Sequence, residues 1–210
     1  MTKKLAFFIT GTDTGVGKTY IACQLISEYV AQGYQVIGMK PVAAGEDYVN
    51  GEWVNDDVLK LEAASNVKAP RNFVNPYSFK EAIAPHIAAQ KAGVTIEISV
   101  IKNAFEALKK LADIVIVEGA GGFLVPLNSD PINDTVTMAD LAIALNIPTI
   151  LVVGMKLGCI NHSLLTVEAI QARKLTLHGW VANEIDPAMP AQAENIATLT
   201  QQINAPKLSV

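Results

Sequence analysis

Cysteine is scarce in this chain. Only Cys23 and Cys159 occur, far apart in sequence. Two thiols are too few for a disulfide scaffold, and neither has metal-ligand spacing, so a reducing cytoplasm is the default compartment. Charge is also sparse, at 17% of residues with a net value of −4. An acidic balance with pI 5.4 argues against general nucleic-acid binding and against a polybasic membrane contact. Three histidines occur, His86, His162 and His178, with no mutual spacing; each reads as a packing or hydrogen-bonding residue. Trp53 and Trp180 read as packing residues too. A long hydrophobic run is missing. The longest apolar region, Met138 to Gly158, is interrupted by Asp140, Asn146, Pro148 and Lys156, and reads as helix, turn and strand instead of a membrane span. The N-terminus leads into only five apolar residues, Leu5 to Ile9, too short for a signal-peptide core. Internal repeats, low-complexity segments and interdomain linkers are absent.

What is present is apolar. Hydrophobic residues make up 50%, and the mean hydropathy is +0.30. That suits a parallel sheet buried on both faces. A length of 210 residues fits one α/β domain spanning 1–210.

Short apolar runs alternate with helical patterns. Strands are expected at Leu5–Thr10, Val36–Met39, Ile114–Val117, Thr149–Val153 and Gly179–Asn183. Helices are expected at Thr19–Val30, Asp56–Ala64, Ala84–Ala92, Glu97–Leu111, from Thr137 to Leu145, Asn161–Arg173 and Ala191–Ile203. Asn55 or Asp56 would cap the second of these. Ala43–Val54 reads as a loop, and 70–85, with three prolines, as irregular with a short strand near Tyr77. The alternation predicts an α/β fold, a doubly wound, mostly parallel sheet with helices on both faces, and the glycine-rich Gly11–Thr19 loop between its first strand and first helix makes it of the P-loop NTPase kind. Ligands bind such sheets beyond the carboxyl ends of the strands.

Gly11-Thr-Asp-Thr-Gly-Val-Gly-Lys-Thr19 follows the first strand and opens the first helix, the context of a phosphate-binding loop. Glycines let backbone N–H groups converge on one spot, and the helix N-terminus adds about half a positive charge. Lys18 would meet terminal phosphates, and the Thr19 hydroxyl would ligate Mg²⁺ held on them. The spacing is a variant, because the usual first glycine position holds Thr12.

Lys40 ends the second strand and faces the same crevice, as a second cation or as an ordinary solvated lysine. Glu118 ends a buried strand and is followed by Gly119-Ala-Gly-Gly122. It reads as a metal or water ligand, or as a capping carboxylate. Asp56 and Asp57 either cap their helix or send one carboxylate toward Thr19 and Glu118; spacing does not choose between them. Gly154 to Asn161 is another glycine loop opening a helix, able to hold a second anion by N–H groups. The Asn183 amide can pair with a purine edge, or simply sit in a turn.

These residues resemble dethiobiotin synthetase. The matching segments are Thr10 to Thr19, Lys40-Pro-Val42, Asn75-Pro-Tyr77, Pro85-His-Ile87, Val117 to Gly122, Val153 to His162 and Gly179 to Asn183. The resemblance implies a cytoplasmic homodimeric ligase. It would convert 7,8-diaminopelargonic acid, CO₂ and ATP to dethiobiotin, ADP and phosphate, through a carbamate phosphorylated by ATP. It further implies ATP contacts from Thr14, Gly15, Val16, Gly17, Lys18, Thr19, Glu118, Gly121 and Asn183. Mg²⁺ would be held by Thr19, Asp57 and Glu118, and the family's pattern selects Asp57 over Asp56. Lys18, Lys40 and Thr14 would be catalytic. Lys40, Ala44 and the loop Gly158-Cys159-Ile160-Asn161 would bind the substrate, the loop across a dimer interface.

Gly15 stands where some members have Glu. Ala44 stands where a Ser contacts substrate, an exchange that removes one hydrogen bond worth about 1 kcal/mol. The family continues past the equivalent of Val210 through a Gly-x-Ile-Pro segment that walls the adenine site. Two other readings compete. One is a regulatory ATPase of the chromosome- or division-site-positioning kind, which needs a lysine early in the loop where this chain has Gly11, Thr12 and Asp13. The other is a nucleotide-binding relative with weak or lost synthetase activity.

Overall fold

The computed structural model describes residues 4–49, 51–128 and 135–210. Five parallel strands form its central sheet: β1 (Leu5–Gly11), β2 (Val36–Met39), β7 (Ile114–Glu118), β8 (Thr149–Gly154) and β9 (Leu177–Asn183), in the order β2-β7-β1-β8-β9. Between them run α1 (Lys18–Ala31), α2 (Asp56–Ala64), α3 (Arg71–Val74), α4 (Pro85–Ala92), α5 (Ile98–Leu111), α6 (Met138–Leu145) and α7 (Cys159–Ala172). Helix α8 (Gln192–Gln202) follows β9.

Side chains on a strand alternate between faces. Phe7, Ile9, Ile114, Ile116, Ile150 and Val152 therefore pack with Ile21, Leu25 and Ile26 of α1. Their neighbours Phe8, Val115 and Val117 pack against Ile101, Phe105 and Leu108 of α5 and against α6. Leu151, Val153 and Trp180 pack with α7 and α8. Both faces are covered, which is why these strands read as continuous apolar runs.

The segment 43–54 departs from expectation. It contains β3 (Val42–Ala44), which pairs in parallel with β6 (Tyr77–Phe79). It also contains an antiparallel hairpin of β4 (Asp47–Val49) and β5 (Glu52–Val54). Polar composition argued for a loop there. A tilted cross-strand contact of Tyr48 with Trp53, at 5.3 Å between ring centres, supports pairing instead. Trp53 is half exposed, and besides packing on Tyr48 it carries the Lys80 ammonium 4.3 Å from its ring centre. Trp180 is fully buried.

Caps follow local chemistry. The Asn55 side chain accepts from the Val58 N–H, making Asn55 the cap of α2. Thr137 and Asp140 exchange hydrogen bonds at the start of α6, a reciprocal arrangement that satisfies two orphan donors. Edge strand β2 is closed to further pairing. Val36 N–H donates to Asn66 Oδ1, Gly38 N–H to Ser65 Oγ and Lys40 N–H to the Val74 carbonyl, which blocks the outer row.

At the opposite edge, Trp180 N–H donates to the Pro206 carbonyl and Leu208 N–H to the Trp180 carbonyl. The segment 206–208 thus lies along β9. Gly179 makes room for it: a Cβ there would sit 2.7 Å from Leu208 Cγ. Among the described residues, no helix is long and apolar enough to cross a membrane.

Candidate active site

Strand register builds the site. Ile9 pairs with Glu118, and Met39 pairs with Val117. The carboxyl ends of β1, β2 and β7 therefore finish level, and Lys40, Glu118 and the loop after Gly11 meet in one crevice. That crevice is a cleft of about 720 Å³. Thr14, Gly15, Gly17, Lys18, Thr19, Lys40, Ala44, Asp57, Glu118 and Gly121 all line it.

The phosphate loop owes its shape to its glycines. Gly17 has φ +88, in the region that favours glycine. A Cβ at Gly17 would also lie 2.0 Å from Asn183 Nδ2, so glycine is required twice over. Lys18 Nζ donates to the Asp13 carbonyl at 3.0 Å. Burial first, and the neighbouring Lys40 ammonium second, push Lys18 from 10.5 down to about 8. A cation held this way is poised to gain an anionic partner.

Lys40 is the electrostatic centre of the floor. Its Nζ donates to Asp57 Oδ2 at 2.9 Å and to Glu118 Oε1 at 2.5 Å. Burial alone would lower its pKa, but the carboxylates of Glu118 and Asp57 outweigh burial and hold it above the usual lysine range. Burial would raise Asp57, yet the Lys40 ammonium and its hydrogen bond hold it below the usual carboxylate range. Thr19 Oγ1 donates to Glu118 Oε1 at 2.9 Å.

Glu118 is fully buried, and among the described residues its Oε2 has no hydrogen-bond partner. A buried carboxylate oxygen without a partner is costly. Next to Thr19 and Asp57, it fits a hard cation that takes few protein oxygens and keeps its waters. Among the described residues, no cluster of three or more His, Cys, Asp or Glu could hold a metal, so a cation here would lean on ligand phosphate oxygens as well.

The structure separates the two aspartates that spacing left open. Asp57 meets Lys40, whereas Asp56 points outward to Lys60 at 2.5 Å. Three expected groups do not line the cleft. Val16 buries its side chain and offers its carbonyl to Asn183 Nδ2 at 2.8 Å. Asn183 thereby spends one N–H on the phosphate loop, leaving Oδ1 and the other N–H for a ligand. The loop Gly158-Cys159-Ile160-Asn161 lies off the cleft, with Cys159 buried and Gly158 in the left-handed region at the start of α7. Lining residues that carried no motif are Tyr20, Lys60, Val125 and the 82–84 segment. Of these, Lys60 alone had a signal in the sequence: it lies one helical turn after Asp57.

A family model described as an AAA domain matches residues 6–209. The ATP-dependent dethiobiotin synthetase BioD of Aromatoleum aromaticum is 52% identical over 210 residues, covering 100% of this chain and 91% of that protein. The protein of the same name from Nitrosospira multiformis is 52% identical over 204 residues, covering 97% of this chain and 86% of the relative. Among solved structures, the MinD cell division protein of Aquifex aeolicus aligns with a TM-score of 0.56 at 16% identity, covering 97% of this chain and 79% of that one. A ParA family ATPase from Chlorobium tepidum aligns with a TM-score of 0.55 at 12% identity, covering 99% and 85%. Those two likenesses speak to the P-loop fold alone. Identity near one half along the entire chain speaks to family, and the chain belongs to the ATP-dependent dethiobiotin synthetases, a family of ligases.

Proposed function

We propose that the chain, as a single domain over 1–210, closes the cyclic urea of dethiobiotin from 7,8-diaminopelargonic acid and CO₂ at the expense of ATP. One observation carries the reading beyond family membership. Two buried lysines and an unpartnered buried carboxylate oxygen share one cleft at the strand ends. Bringing a carbamate to a triphosphate sets anion against anion. Such a reaction needs positioned positive charge more than a nucleophilic side chain.

In this reading one amine of the substrate adds to CO₂ and loses a proton to give a carbamate. The carbamate oxygen attacks the γ-phosphorus and ADP departs. The second amine then attacks the carbamoyl carbon, closes the ring and expels phosphate. Lys18 accompanies the γ-phosphoryl group. Lys40, anchored on Glu118 and Asp57, offers charge to the carbamate side. Thr14 and Gly121 contact substrate or phosphate, and the free face of Asn183 meets the adenine. Thr19 Oγ1, Asp57 and Glu118 Oε2 would hold Mg²⁺, which would neutralise phosphate charge. The loop Gly158–Asn161 binds the distal carboxylate through backbone N–H groups, serving the partner subunit of a homodimer. Ala44 offers no hydroxyl, so binding there rests on neighbouring groups. A cytoplasmic location suits the chemistry and the two free thiols.

The test is phosphate release by the purified chain with ATP, Mg²⁺ and bicarbonate, with and without 7,8-diaminopelargonic acid. Release that depends on the diamine, with dethiobiotin detected by mass spectrometry, is expected. Release indifferent to the diamine would instead assign a regulatory ATPase, and no release a relative that has lost the synthetase activity.

A further inference from the structure

A carboxylate inside a phosphate-binding loop is an electrostatic anomaly. Asp13 sits between Gly11 and Lys18, in the loop that is to receive a polyanion, and although its side chain borders the adjoining hollow with Thr12 and Gly122, its charge opposes that ligand. The structure gives the charge two engagements. Asp13 Oδ1 accepts from the Thr14 N–H at 2.7 Å, and Oδ2 accepts from Lys156 Nζ at 3.2 Å. The Thr14 N–H, and after it Lys156, hold the Asp13 carboxyl below the usual range, so the group is charged at neutral pH. Its carbonyl meanwhile holds Lys18 Nζ. One residue thus shapes the crest of the loop and sets the position of the cation beside it.

Lys156 comes from the other side of the site, in the loop between β8 and α7. That side grips the phosphate loop at two further points. A Cβ on Gly154 would lie 3.0 Å from Val16 Cγ1, and Asn183 holds the Val16 carbonyl. The brace made by Lys156 has a different character, because it carries charge.

We propose that Asp13 and Lys156 are positioning residues of the nucleotide site, with Lys156 acting through Asp13. The lysine cancels the charge that Asp13 brings into the anion cradle, and it keeps the carboxylate turned toward the Thr14 N–H. Asp13 is retained because its side chain fixes the crest. Lys156 makes that carboxylate tolerable to a triphosphate. The inference rests on the nucleotide-binding part of the proposed function and not on dethiobiotin formation.

The experiment is calorimetric titration of the full chain with a non-hydrolysable ATP analogue and Mg²⁺, at low and at high ionic strength. Lys156→Met leaves Asp13 uncompensated and is expected to weaken binding about fivefold, the upper scale of an ion pair whose side chains are 38% and 48% exposed. Asp13→Asn keeps the acceptor for Thr14 and frees the lysine charge, so binding stays equal or tightens. The double variant recovers to within about twofold of wild type, because the charge to be cancelled is gone. The Lys156→Met deficit shrinks as salt shortens the Debye length from about 10 Å at 0.1 M to about 3 Å at 1 M. Lys156→Arg keeps the charge and binds like wild type, which guards against misreading a folding defect. Unchanged binding by Lys156→Met overturns the proposal. So does a double variant as weak as Lys156→Met alone, since the lysine would then meet the phosphates directly. Dethiobiotin synthesis does not enter these readouts, so a failure here and a failure of the synthetase reading stay distinct.

Discussion

Replacing Lys40 with methionine isolates the energetics of the cleft floor. Methionine roughly preserves the apolar stem, so the main loss is the ammonium. Lys40 is buried and bonds two carboxylates of unequal exposure: the Glu118 side chain is 1% exposed and the Asp57 side chain 38%. An ion pair open to water contributes at most about 1 kcal/mol, so the Asp57 arm is minor. Removing one partner of a buried pair costs about 3–5 kcal/mol, because the other charge is stranded. Glu118 would be stranded, with Oε2 already unpartnered. The expected destabilisation is therefore about 3–5 kcal/mol, a large share of the roughly 5–15 kcal/mol that holds a typical domain together. In urea the midpoint should fall by about 1–5 M, given slopes of about 1–3 kcal/mol/M. The assay is urea unfolding followed by circular dichroism, at neutral pH, without nucleotide and with a chelator. Neutral pH lies inside both windows. Lys40 is raised in the folded state, so its contribution is fully present below the unfolded lysine value and is lost as pH rises through the folded one. Asp57 is lowered, so its contribution is present above the unfolded carboxylate value and is lost as pH falls through the folded one. Adding Glu118→Gln removes the stranded charge and should restore most of the loss. A Lys40→Met cost below about 1 kcal/mol, or a double variant whose losses simply add, would refute the reasoning.

Two further outcomes follow from the same geometry. Burial and the Lys40 ammonium push Lys18 down to about 8, and a phosphate partner favours its charged form. Nucleotide binding should therefore take up a proton, and affinity should fall by up to about tenfold per pH unit above 8; calorimetry in buffers of different ionisation enthalpy would read zero proton uptake if Lys18 were already fully charged. Asp57→Asn should raise the Mg²⁺ concentration needed for half-maximal turnover by about 10-fold or more, whereas Asp56→Asn should not move it, since Asp56 pairs outward with Lys60. Equal shifts in the two variants would return both aspartates to a capping role.

Much of this fold was legible because its signals are local. The buried strands appear as uninterrupted apolar runs, and α2 and α6 announce themselves through Asn55 and Thr137. The hairpin at 47–54 was not legible, because polar strands at a surface lack the alternation that marks a half-buried one. The short helix Arg71–Val74 lay hidden among prolines. The pairing of 206–208 with β9 depends on the missing Cβ of Gly179, a contact between residues distant in sequence and invisible to periodicity.

The same division runs through the candidate site. Motif spacing made Lys18, Thr19, Lys40 and Glu118 candidates, because each ends a strand or opens a helix where the chain must face the crevice, but left a bland reading open for Lys40 and Glu118. Spacing could not choose between Asp56 and Asp57; the resemblance selected Asp57, and the turn of α2 sets Asp57 against Lys40. Nor could it foresee that Asn183 steadies the phosphate loop, that Glu118 Oε2 is buried without a partner, or that Lys156 reaches Asp13. The chain by itself determined the alternation of strands and helices, the phosphate loop and the family, since these reside in neighbouring residues and their order. Tertiary structure alone decided which charges meet, since pairing energies depend on distance and burial across elements that the sequence lists far apart.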